Sequence, residues 1–559
     1  MTSFVRLLVV CIVLYGVTAS SVARAQLQTA PASTPVVDAN AVLKTGIDLE
    51  KKRQWIEAIQ HYEAAVRSLP DHSEIRRRLL ISRLHFDVVR RSSDIAVRDM
   101  ISSVSEAQAL DLYAEVLARL EMSYVEPLEM TTIVRGGTAY LEVALTEPEF
   151  IETHLANISA DRIESFRTSI HRVTLATPVQ NRFEARAAVA QAATVAQKSL
   201  GIRPTATIMQ FVFGAVGLLD PYSSFLSSAE LNEVESQIEG NFVGLGIALQ
   251  PHEAPLRILN VIPGGPAIEA GLESGDLILE IGSVNCEDVG AERAADLLRG
   301  PEQSHVRLLV KKANGSLVDQ VVARRRVEVP SIENVHMADP SAGVAYLKIS
   351  SFQKTTADEL DDALWKLHHQ GMQSLILDLR GNPGGWLDAS VAVADRFLAE
   401  GGIVSTRGKN GIENQNYTAN RSGTWQVPLV VLIDDQSASA SEILAGAIRD
   451  NRRGTLVGET SFGKGSVQGL FHTKSLGSGI RLTVSKFYSP SGRAISEQGV
   501  QPNIIVTDEP STKNANLANQ SAGNSHFVAK VTGGDEALRV AIEHARSRSL
   551  SAAATVARN

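Results

Sequence analysis

Cysteine is scarce in this chain, with only Cys11 and Cys286 among 559 residues. We expect Cys11 to be lost with an N-terminal targeting segment, so the mature chain keeps one thiol and cannot form an internal disulfide. A single cysteine fits an exported protein without establishing export. Long runs of basic residues are also missing, and the formal net charge is −8. This charge balance argues against a nucleic-acid partner.

The apolar run near the N-terminus, Leu7 to Val17, is shorter than the about 20 residues that a membrane span needs. Arg6 precedes this run, and Ala23-Arg24-Ala25 follows it as an A-x-A cleavage signature. We therefore interpret residues 1–25 as a cleaved secretory signal, with an uncleaved membrane anchor as the alternative. The predicted location is the periplasm or the cell envelope.

The chain is too long for one hydrophobic core, so several domains are expected. Residues 26–40 are rich in Pro, Ala, Ser and Thr and are predicted to be a linker. Residues 41–100 show helical periodicity with spacings similar to a tetratricopeptide repeat, at Gly46, Ala58, Tyr62, Ala65 and Pro70. A plain helical hairpin fits equally well, and either structure must pack on a further helix or a second chain.

Four further segments follow from changes in pattern. Residues 101–232 are predicted to be helical, and residues 233–327 change to short strands separated by glycines. Residues 328–507 alternate strand and helix, with a strand predicted at Val344–Ile349 and helices at Thr356–His369 and Leu387–Ala399, which predicts a layered α/β core. Residues 508–559 are predicted to be a polar tail in which Asp535 to Arg546 forms a short helix. The expected fold class is therefore multidomain α+β.

Three glycine-containing motifs occur in order in the strand-rich segment: Gly244-Leu245-Gly246-Ile247, Pro266-Ala267 to Ala270-Gly271-Leu272, and Gly275-Asp276-Leu277-Ile278. Together they resemble a PDZ domain. Successive glycines let main-chain N–H groups converge on a chain-terminal carboxylate, and the following strand can pair with an extended peptide. Gly244, Leu245, Gly246 and Ile247 are the candidate peptide-binding residues, with a helix from Glu292 to Arg299 as the other groove wall. The alternative is a β-sandwich without a ligand.

Ser439 is the candidate nucleophile. It follows an apolar strand, Pro428 to Ile433, and precedes a helix predicted to open near Ser441. A serine at a strand-to-helix turn is exposed and lies near a helix N-terminus, which is where a nucleophilic hydroxyl is useful. Taken alone, the S-A-S-A-S-E sequence could also be a simple helix cap.

Lys464 is the candidate base, and it lies between two glycines that allow the backbone to bend and aim its side chain. A free lysine titrates near ~10.4, and lowering its pKa to ~7 requires roughly 4–5 kcal/mol of destabilisation of the ammonium. Burial away from carboxylates can supply this shift. We expect the nearby Glu459 to point elsewhere, since pairing would raise the lysine pKa. Ser439 and Lys464 together predict hydrolysis by a serine with a lysine base.

A series of landmarks connects these motifs in one order: Asp220-Pro221-Tyr222-Ser223-Ser224-Phe225-Leu226, the PDZ-like module, Asp378-Leu379-Arg380-Gly381-Asn382-Pro383-Gly384-Gly385, Ser437 to Glu442, and Gly463 to Gln468. Over about residues 205–507 the chain resembles the C-terminal processing peptidases, also called tail-specific proteases. The helical region before residue 205 departs from the compact pattern of that family. About residues 145–205 look like an insertion, for which the resemblance implies no role.

The resemblance implies a crotonase-like core and a serine endopeptidase that cuts peptide bonds near C-termini without a cofactor or metal. It implies that Ser439 is the nucleophile, Lys464 the general base and Gln468 the residue that orients the lysine. Gly385 and Ala440 match the oxyanion-hole donors, with Gly384 as the close alternative to Gly385. Expected partners are proteins with accessible C-terminal tails, and the N-terminal helices are candidates for self-association or partner docking.

The sequence disfavours two rival assignments of the catalytic site. Ser461-Phe462-Gly463-Lys464 matches the S-x-x-K motif of penicillin-binding proteins, but that motif needs a helix, which Gly463 and Gly465 disfavour. Neither His472 nor the pair His368-His369 has the spacing of a metal site, and a histidine triad is not indicated. The competing functional class is an adaptor that binds C-terminal tails with a silent protease core.

Overall fold

The computed structural model describes residues 38–174, 178–250, 254–474, 476–496, 498–506, 527–529 and 535–556. The predicted signal at 1–25 and nearly all of the predicted linker at 26–40 lie outside these ranges and stay predictions. The chain divides into two compact units. One comprises Val9–Leu231 with Gln468–Thr483, and the other Asn232–Val467 with Val484–Asn559. Helices dominate the first unit and mixed sheets the second, as expected for a multidomain α+β fold.

The first unit is built from ten described helices. They are α1 (Ala39–Lys51), α2 (Trp55–Ser68), α3 (Ser73–Ser93), α4 (Ile95–Ser103), α5 (Glu106–Ser123), α6 (Met130–Ala144), α7 (Pro148–His154), α8 (Ala160–Thr174), α9 (Arg182–Leu200) and α10 (Pro204–Gly217). The strand β1 (Ser224–Leu226) follows and pairs antiparallel with Gly479–Arg481. Several of these helices begin at a capping residue. At the start of α5, for example, the Ser105 side chain forms a capping box with Gln108.

The first two helices form a tight hairpin because Gly46 lies against the ring of Tyr62. A Cβ atom at Gly46 would lie 2.2 Å from that ring. The Tyr62 side chain is buried, and its hydroxyl donates to Glu50 at 2.8 Å. Ile75 and Leu79 of α3 complete the small core of the hairpin. The need of this hairpin for a further helix is therefore met within the chain, while its assignment as a repeat stays a prediction.

The predicted insertion at about 145–205 forms α7, α8 and α9. Its apolar side chains, including Phe166, Ile170 and Val189, belong to the main hydrophobic core of the helical unit. At the centre of that core α6 and α10 approach closely, since a Cβ atom at Gly214 would lie 2.7 Å from Cα of Gly137. These three helices thus stabilise the helical unit by burial.

The PDZ-like part of the second unit starts after α11 (Ser228–Glu239). Its strands run in the order β3-β4-β5-β7-β8, with β6 beside β5, while β2 and β9 form a separate antiparallel pair. The elements are β2 (Asn241–Gly244), β3 (Ile247–Leu249), β4 (Leu256–Val261), α12 (Pro266–Glu269), β5 (Leu277–Ile281), β6 (Val284–Asn285), α13 (Cys286–Leu298), β7 (His305–Lys311), β8 (Leu317–Ala323) and β9 (Arg325–Glu328).

The groove helix α13 begins at Cys286, earlier than the predicted start at Glu292. The side chain of Asn285 accepts the N–H of Glu287 at 2.8 Å and so caps this earlier turn. The backbone of Gly290 is left-handed, with φ +76°, and interrupts the helix. The prediction missed the first turn because this glycine separates it from the rest of the helix.

The layered core is a seven-stranded sheet in the order β10-β11-β12-β15-β16-β19-β20, parallel except for the antiparallel pair β10 and β11. Its strands are β10 (Ile332–Asp339), β11 (Val344–Ile349), β12 (Ser374–Asp378), β15 (Leu429–Ile433), β16 (Thr455–Gly458), β19 (Ile504–Val506) and β20 (Phe527–Ala529). The helices α14 (Thr356–His369), α15 (Leu387–Asp395) and α16 (Ala440–Asp450) connect them. A second sheet contains β13 (Gly402–Gly408), β14 (Gln415–Thr418), β17 (Ser466–His472) and β18 (Gly479–Tyr488).

Most predicted core elements are confirmed: α14 and β11 match their predicted bounds, and β15 begins at Leu429, one residue after the predicted Pro428. The helix α15 is shorter than predicted and ends at Asp395 instead of Ala399. At that end Arg396 and Phe397 donate to carbonyls three residues back, which tightens the last turn and ends the α-helix.

The predicted polar tail contains a longer helix than expected, α17 (Glu536–Val556). Ala537, Ala541 and Ala545 are buried and pack with Val344 and Ile376 of the sheet. The sequence predicted a helix here, from Asp535 to Arg546, but not its full length or its packing on the sheet, because alanines four residues apart give only a narrow apolar stripe on an otherwise polar helix. Among the described residues, none of the helices is long and apolar enough to cross a bilayer.

Candidate active site

Ser439 lies between β15 and α16 and is the N-cap of α16. Its backbone has φ +56° and ψ −112°, a combination that non-glycine residues rarely adopt and that is of order 1–3 kcal/mol unfavourable. Neighbouring bonds hold this turn: the Ser437 hydroxyl donates to the Leu379 carbonyl at 2.9 Å, and the Ala438 N–H donates to the Asn382 carbonyl at 3.0 Å. The strained backbone presents the hydroxyl of Ser439 at the start of a helix.

Lys464 lies in the irregular segment between β16 and β17. Its N–H donates to Oε2 of Glu442 at 2.8 Å, and the N–H of Gly463 donates to Oε1 at 2.6 Å. Gly463 has φ +92°, and a Cβ atom at Gly465 would lie 2.2 Å from the main-chain nitrogen of Ser496. A side chain at either flanking position would strain the backbone or clash with it, so both glycines let the chain bend here, as predicted.

Glu442 joins the serine turn to the lysine segment. Besides its bonds to Gly463 and Lys464, its Oε2 accepts the N–H of Ser439 at 2.8 Å, and its Oε1 accepts the hydroxyl of Ser461 at 2.6 Å. Burial raises the pKa of this carboxyl, while the four hydrogen bonds act in the opposite direction. In the sequence, Glu442 is recognisable only as part of a possible helix cap. Its position three residues after Ser439 was the available signal.

The glycine-rich turn after β12 lies against Ser439. A Cβ atom at Gly384 would lie 2.8 Å from Cβ of Ser439 and 2.9 Å from the nitrogen of Ala440. The N–H of Gly384 donates to Oδ1 of Asn382 at 2.8 Å. Within the described residues, the N–H groups of Gly385 and Ala440 have no acceptor. The two free donors are therefore those of Gly385 and Ala440, while that of Gly384 is occupied.

Gln468 lies on β17 and belongs to the helical unit, whereas Ser439 and Lys464 belong to the other unit. Its Nε2 donates to Oγ1 of Thr483 at 3.4 Å, and this hydroxyl donates to Oδ1 of Asp220 at 3.0 Å. The Asp220 carboxylate also accepts the N–H of Tyr222 and both the N–H and the hydroxyl of Ser223. The D-P-Y-S-S-F-L motif thus begins as a turn closed by its own aspartate, which also connects to the Gln468 side chain through Thr483.

The predicted peptide-binding loop joins β2 to β3. Gly246 has φ +78°, and the carbonyls of Leu245 and Gly246 accept N–H groups of Ala267 and Ile262, each at 2.8 Å. The loop is therefore fixed on both sides. Among the described strands, β3 is the outer member of its sheet, and an outer strand has a free edge for an added peptide.

Two further residues near Lys464 in the sequence, Ser461 and Glu459, are located by the structure. Ser461 is 6% exposed, its hydroxyl donates to Glu442 and accepts the N–H of Val500, and the segment from Ser461 to Lys464 is not helical. The S-x-x-K assignment is therefore wrong, because the Ser461 hydroxyl is already hydrogen-bonded to Glu442 and Val500. Glu459 lines a cavity of about 450 Å³ at the carboxyl ends of the parallel strands, together with Asp378, Arg380, Asp434 and Asp535.

Comparisons with known proteins agree with the two modules. Residues 343–506 match the model of peptidase family S41, and residues 257–312 match that of a PDZ domain. The chain is 36% identical over 343 residues to a carboxyl-terminal-processing protease of Synechocystis sp., covering 60% of this chain and 78% of that protein. It is 32% identical over 286 residues to the carboxy-terminal processing protease CtpA of Bacillus subtilis, covering 51% and 60%.

A solved structure, the photosystem II D1 C-terminal processing protease, aligns over 71% of this chain and 92% of its own, with 24% identity and a TM-score of 0.36.

Proposed function

The chain belongs to the carboxyl-terminal-processing proteases, serine peptidases of family S41, and we propose that it is an exported endopeptidase that binds the C-terminal tails of proteins and cuts near them with a Ser-Lys dyad. Export rests on the N-terminal signal pattern around Arg6 and Ala23-Arg24-Ala25. Tail binding rests on the PDZ domain, and cleavage on Ser439 and Lys464.

In the proposed mechanism Ser439 Oγ attacks the carbonyl carbon of the scissile bond while Nζ of Lys464, in its neutral form, takes the hydroxyl proton. The tetrahedral intermediate collapses, and the lysine returns that proton to the leaving amine. Water then hydrolyses the acyl-enzyme, with Lys464 again accepting and returning a proton. Gln468 orients the lysine.

The observation that carries this proposal is the shared support of the two candidate groups by Glu442. One buried carboxylate accepts the main-chain N–H of Ser439 and that of Lys464, each at 2.8 Å. Fixing two reacting groups relative to each other removes much of the entropic part of a reaction barrier. An adaptor that only binds tails has no use for this arrangement.

The developing negative oxygen is assigned to the N–H groups of Gly385 and Ala440. Both donors are free within the described residues, whereas the Gly384 donor is used by Asn382. Each preorganised donor of this kind contributes about 3–4 kcal/mol to transition-state stabilisation. Gly384 has a steric role, because any side chain there would meet Ser439.

Substrate tails are assigned to the groove beside β3. The tail would extend the sheet as an added strand, with its terminal carboxylate at the loop formed by Gly244, Leu245, Gly246 and Ile247. This loop is held by main-chain bonds to Ile262 and Ala267, so its donors are preorganised.

The mature chain should be incubated with an unstructured protein that ends in an apolar tail, and with the same protein carrying a C-terminal amide. We expect wild type to cut the first substrate and to have a higher KM for the second. Ser439→Ala and Lys464→Ala should be inactive, while Ser491→Ala, at an exposed serine of the same unit, should match wild type. Equal cleavage by all variants would refute the dyad, and tail binding by an inactive wild type would establish the adaptor.

A further inference from the structure

Arg380 is held between two carboxylates that are far apart in sequence. Its guanidinium donates to Asp378, two residues before it at the end of β12, with bonds of 2.6–3.1 Å. On its other side it donates through Nη1 and Nη2 to the two oxygens of Asp535, at 2.7 and 2.8 Å. Such two-pronged contacts between arginine and carboxylate fix direction as well as distance.

Arg380 leads directly into the turn that carries the free N–H of Gly385. The next residue, Gly381, donates its N–H to both oxygens of Asp434 at 3.0 Å. The carbonyl of Asn382 accepts the Ala438 N–H and the Ser441 hydroxyl, each at 3.0 Å, on either side of Ser439. Displacement at Arg380 would therefore be transmitted to a turn that is bonded to the serine segment.

Asp535 comes from an element that packs on the sheet. It precedes α17, where its Oδ1 accepts the N–H of Leu538 at 2.9 Å and so caps the helix. The helix is anchored to the sheet by the buried alanines Ala537, Ala541 and Ala545. Burial raises the pKa of the Asp535 carboxyl, but the bonds from Arg380 and Leu538 outweigh it, and the pKa is lowered. The carboxylate is thus ionised and fixed at neutral pH.

Asp378 alone would tie the guanidinium only to its own strand end. Arg380 and Asp535 both line the cavity of about 450 Å³, so space is available into which the arginine can move if one partner is lost. The Asp378 contact is local, because the two residues belong to one strand end. The Asp535 contact is the one that ties Arg380 to a separate element.

We propose that Asp535 is a positioning residue for catalysis: from the start of α17 it fixes Arg380, and through Arg380 it fixes the turn that presents the Gly385 N–H to the substrate. This inference rests on the proposed function, because it assigns the oxyanion to Gly385. It makes the C-terminal helix, which lies beyond the matched peptidase segment 343–506, part of the active-site support.

The test compares full-length wild type, Asp535→Asn and Glu536→Gln. The control is matched because Glu536 is the next residue and pairs with Arg539 of its own helix. For each protein, kcat and KM on the tail-bearing substrate, inhibition by a peptide aldehyde and the thermal unfolding midpoint are measured. The aldehyde forms a hemiacetal with the serine, and its oxygen occupies the oxyanion position. The Asp535 side chain is 41% exposed, so asparagine leaves no deeply buried group unpaired.

For Asp535→Asn we expect kcat to fall by about 10- to 100-fold with KM unchanged, and aldehyde inhibition to weaken by a similar factor. Glu536→Gln should match wild type. Unchanged kcat in Asp535→Asn, or reduced kcat with undiminished aldehyde inhibition, would overturn the inference.

If Asp535→Asn also lowers the unfolding midpoint, Asp535→Glu decides: recovery of kcat supports the positioning role, and a folded but equally slow enzyme rejects it. Ser439→Ala distinguishes failure of this inference from failure of the proposed function, since an active Ser439→Ala would refute the proposed function itself.

Discussion

The main-chain N–H groups of Ser439 and Lys464 donate to the same atom, Oε2 of Glu442, at 2.8 Å each. The two candidate catalytic residues are 25 positions apart in sequence, and this carboxylate fixes one relative to the other. Its second oxygen is occupied by Ser461 and Gly463, so all of its acceptor capacity serves these two segments. Glu442 is therefore a positioning residue that supports the proposed nucleophile and base together.

Replacing this carboxylate should disable the enzyme. Glu442→Gln keeps the shape but presents an NH₂ group to main-chain donors, so kcat should fall by about 100-fold. The free energy of unfolding should drop by about 1–3 kcal/mol, because buried N–H groups lose their acceptor. Steady-state kinetics and urea denaturation measure the two effects. Glu459→Gln, at the cavity wall, is the control and should retain wild-type kcat; an active Glu442→Gln would contradict the prediction.

The sequence predicted those parts of the site that depend on local pattern. The strand β15 and the following serine turn are evident because Leu429–Ile433 is a short apolar run that ends before small residues. The helix α14 matched its predicted bounds because its apolar residues recur at helical spacing. The glycines at 384 and 385 were expected near the nucleophile through the family resemblance.

The contacts of Glu442 could not be predicted, because its partners Ser461, Gly463 and Lys464 follow 19 to 22 residues later and meet it only in the folded protein. The same holds for Asp535, whose partner Arg380 lies 155 residues away. A sequence pattern carries information about neighbours on one helix or strand. It does not show which loop ends lie beside each other at the edge of a sheet.

A side chain at Gly384 should abolish activity without unfolding the protein. In Gly384→Ala the new Cβ would lie 2.8 Å from Cβ of Ser439 and 2.9 Å from the Ala440 nitrogen, and φ is +103°. We expect kcat to fall by about 100- to 1000-fold, comparable with the loss of an oxyanion donor. Gly423→Ala is the control, since φ there is +77° and no atom lies within 4 Å. Equal losses in both variants would show that backbone strain alone is responsible.

His154 should make the helical unit less stable in acid. Burial lowers the pKa of His154 to about 4, and the charge of Arg203 adds to this effect. Between pH 4 and the ordinary histidine pKa of ~6.5, the unfolded chain binds a proton at His154 that the folded chain does not bind. The free energy of unfolding therefore falls as the pH drops through this window, by about 1–2 kcal/mol between pH 7 and pH 5, because solvent screens part of the effect at this half-buried ring.

Urea denaturation of wild type and His154→Phe at the two pH values measures this contribution. Phenylalanine keeps a flat ring beside Phe150, with which His154 is in ring contact at 4.6 Å. The variant should lose less stability than wild type on acidification. Identical losses would mean that the histidine titrates alike in the folded and unfolded chain.

The hydroxyl of Thr483 should set the orientation of the Gln468 amide. The Asp220 carboxylate can only accept, so the Thr483 hydroxyl donates its proton to Asp220. The Thr483 oxygen then accepts the N–H of Gln468 Nε2. The amide oxygen consequently faces away from Thr483, as the proposed role of Gln468 as a hydrogen-bond acceptor for Lys464 requires. Thr483→Val removes the hydroxyl at nearly constant volume, and we expect kcat to fall by about 10-fold.

The pH profile of kcat separates this effect from general destabilisation. A glutamine oxygen that accepts from the ammonium favours the charged lysine, so freeing the amide should move the acidic limb of the profile to lower pH in Thr483→Val. Thr483→Ser keeps the hydroxyl and should restore both kcat and the wild-type limb. A valine variant that is slower with an unmoved acidic limb would mean that Thr483 acts on packing rather than on the glutamine.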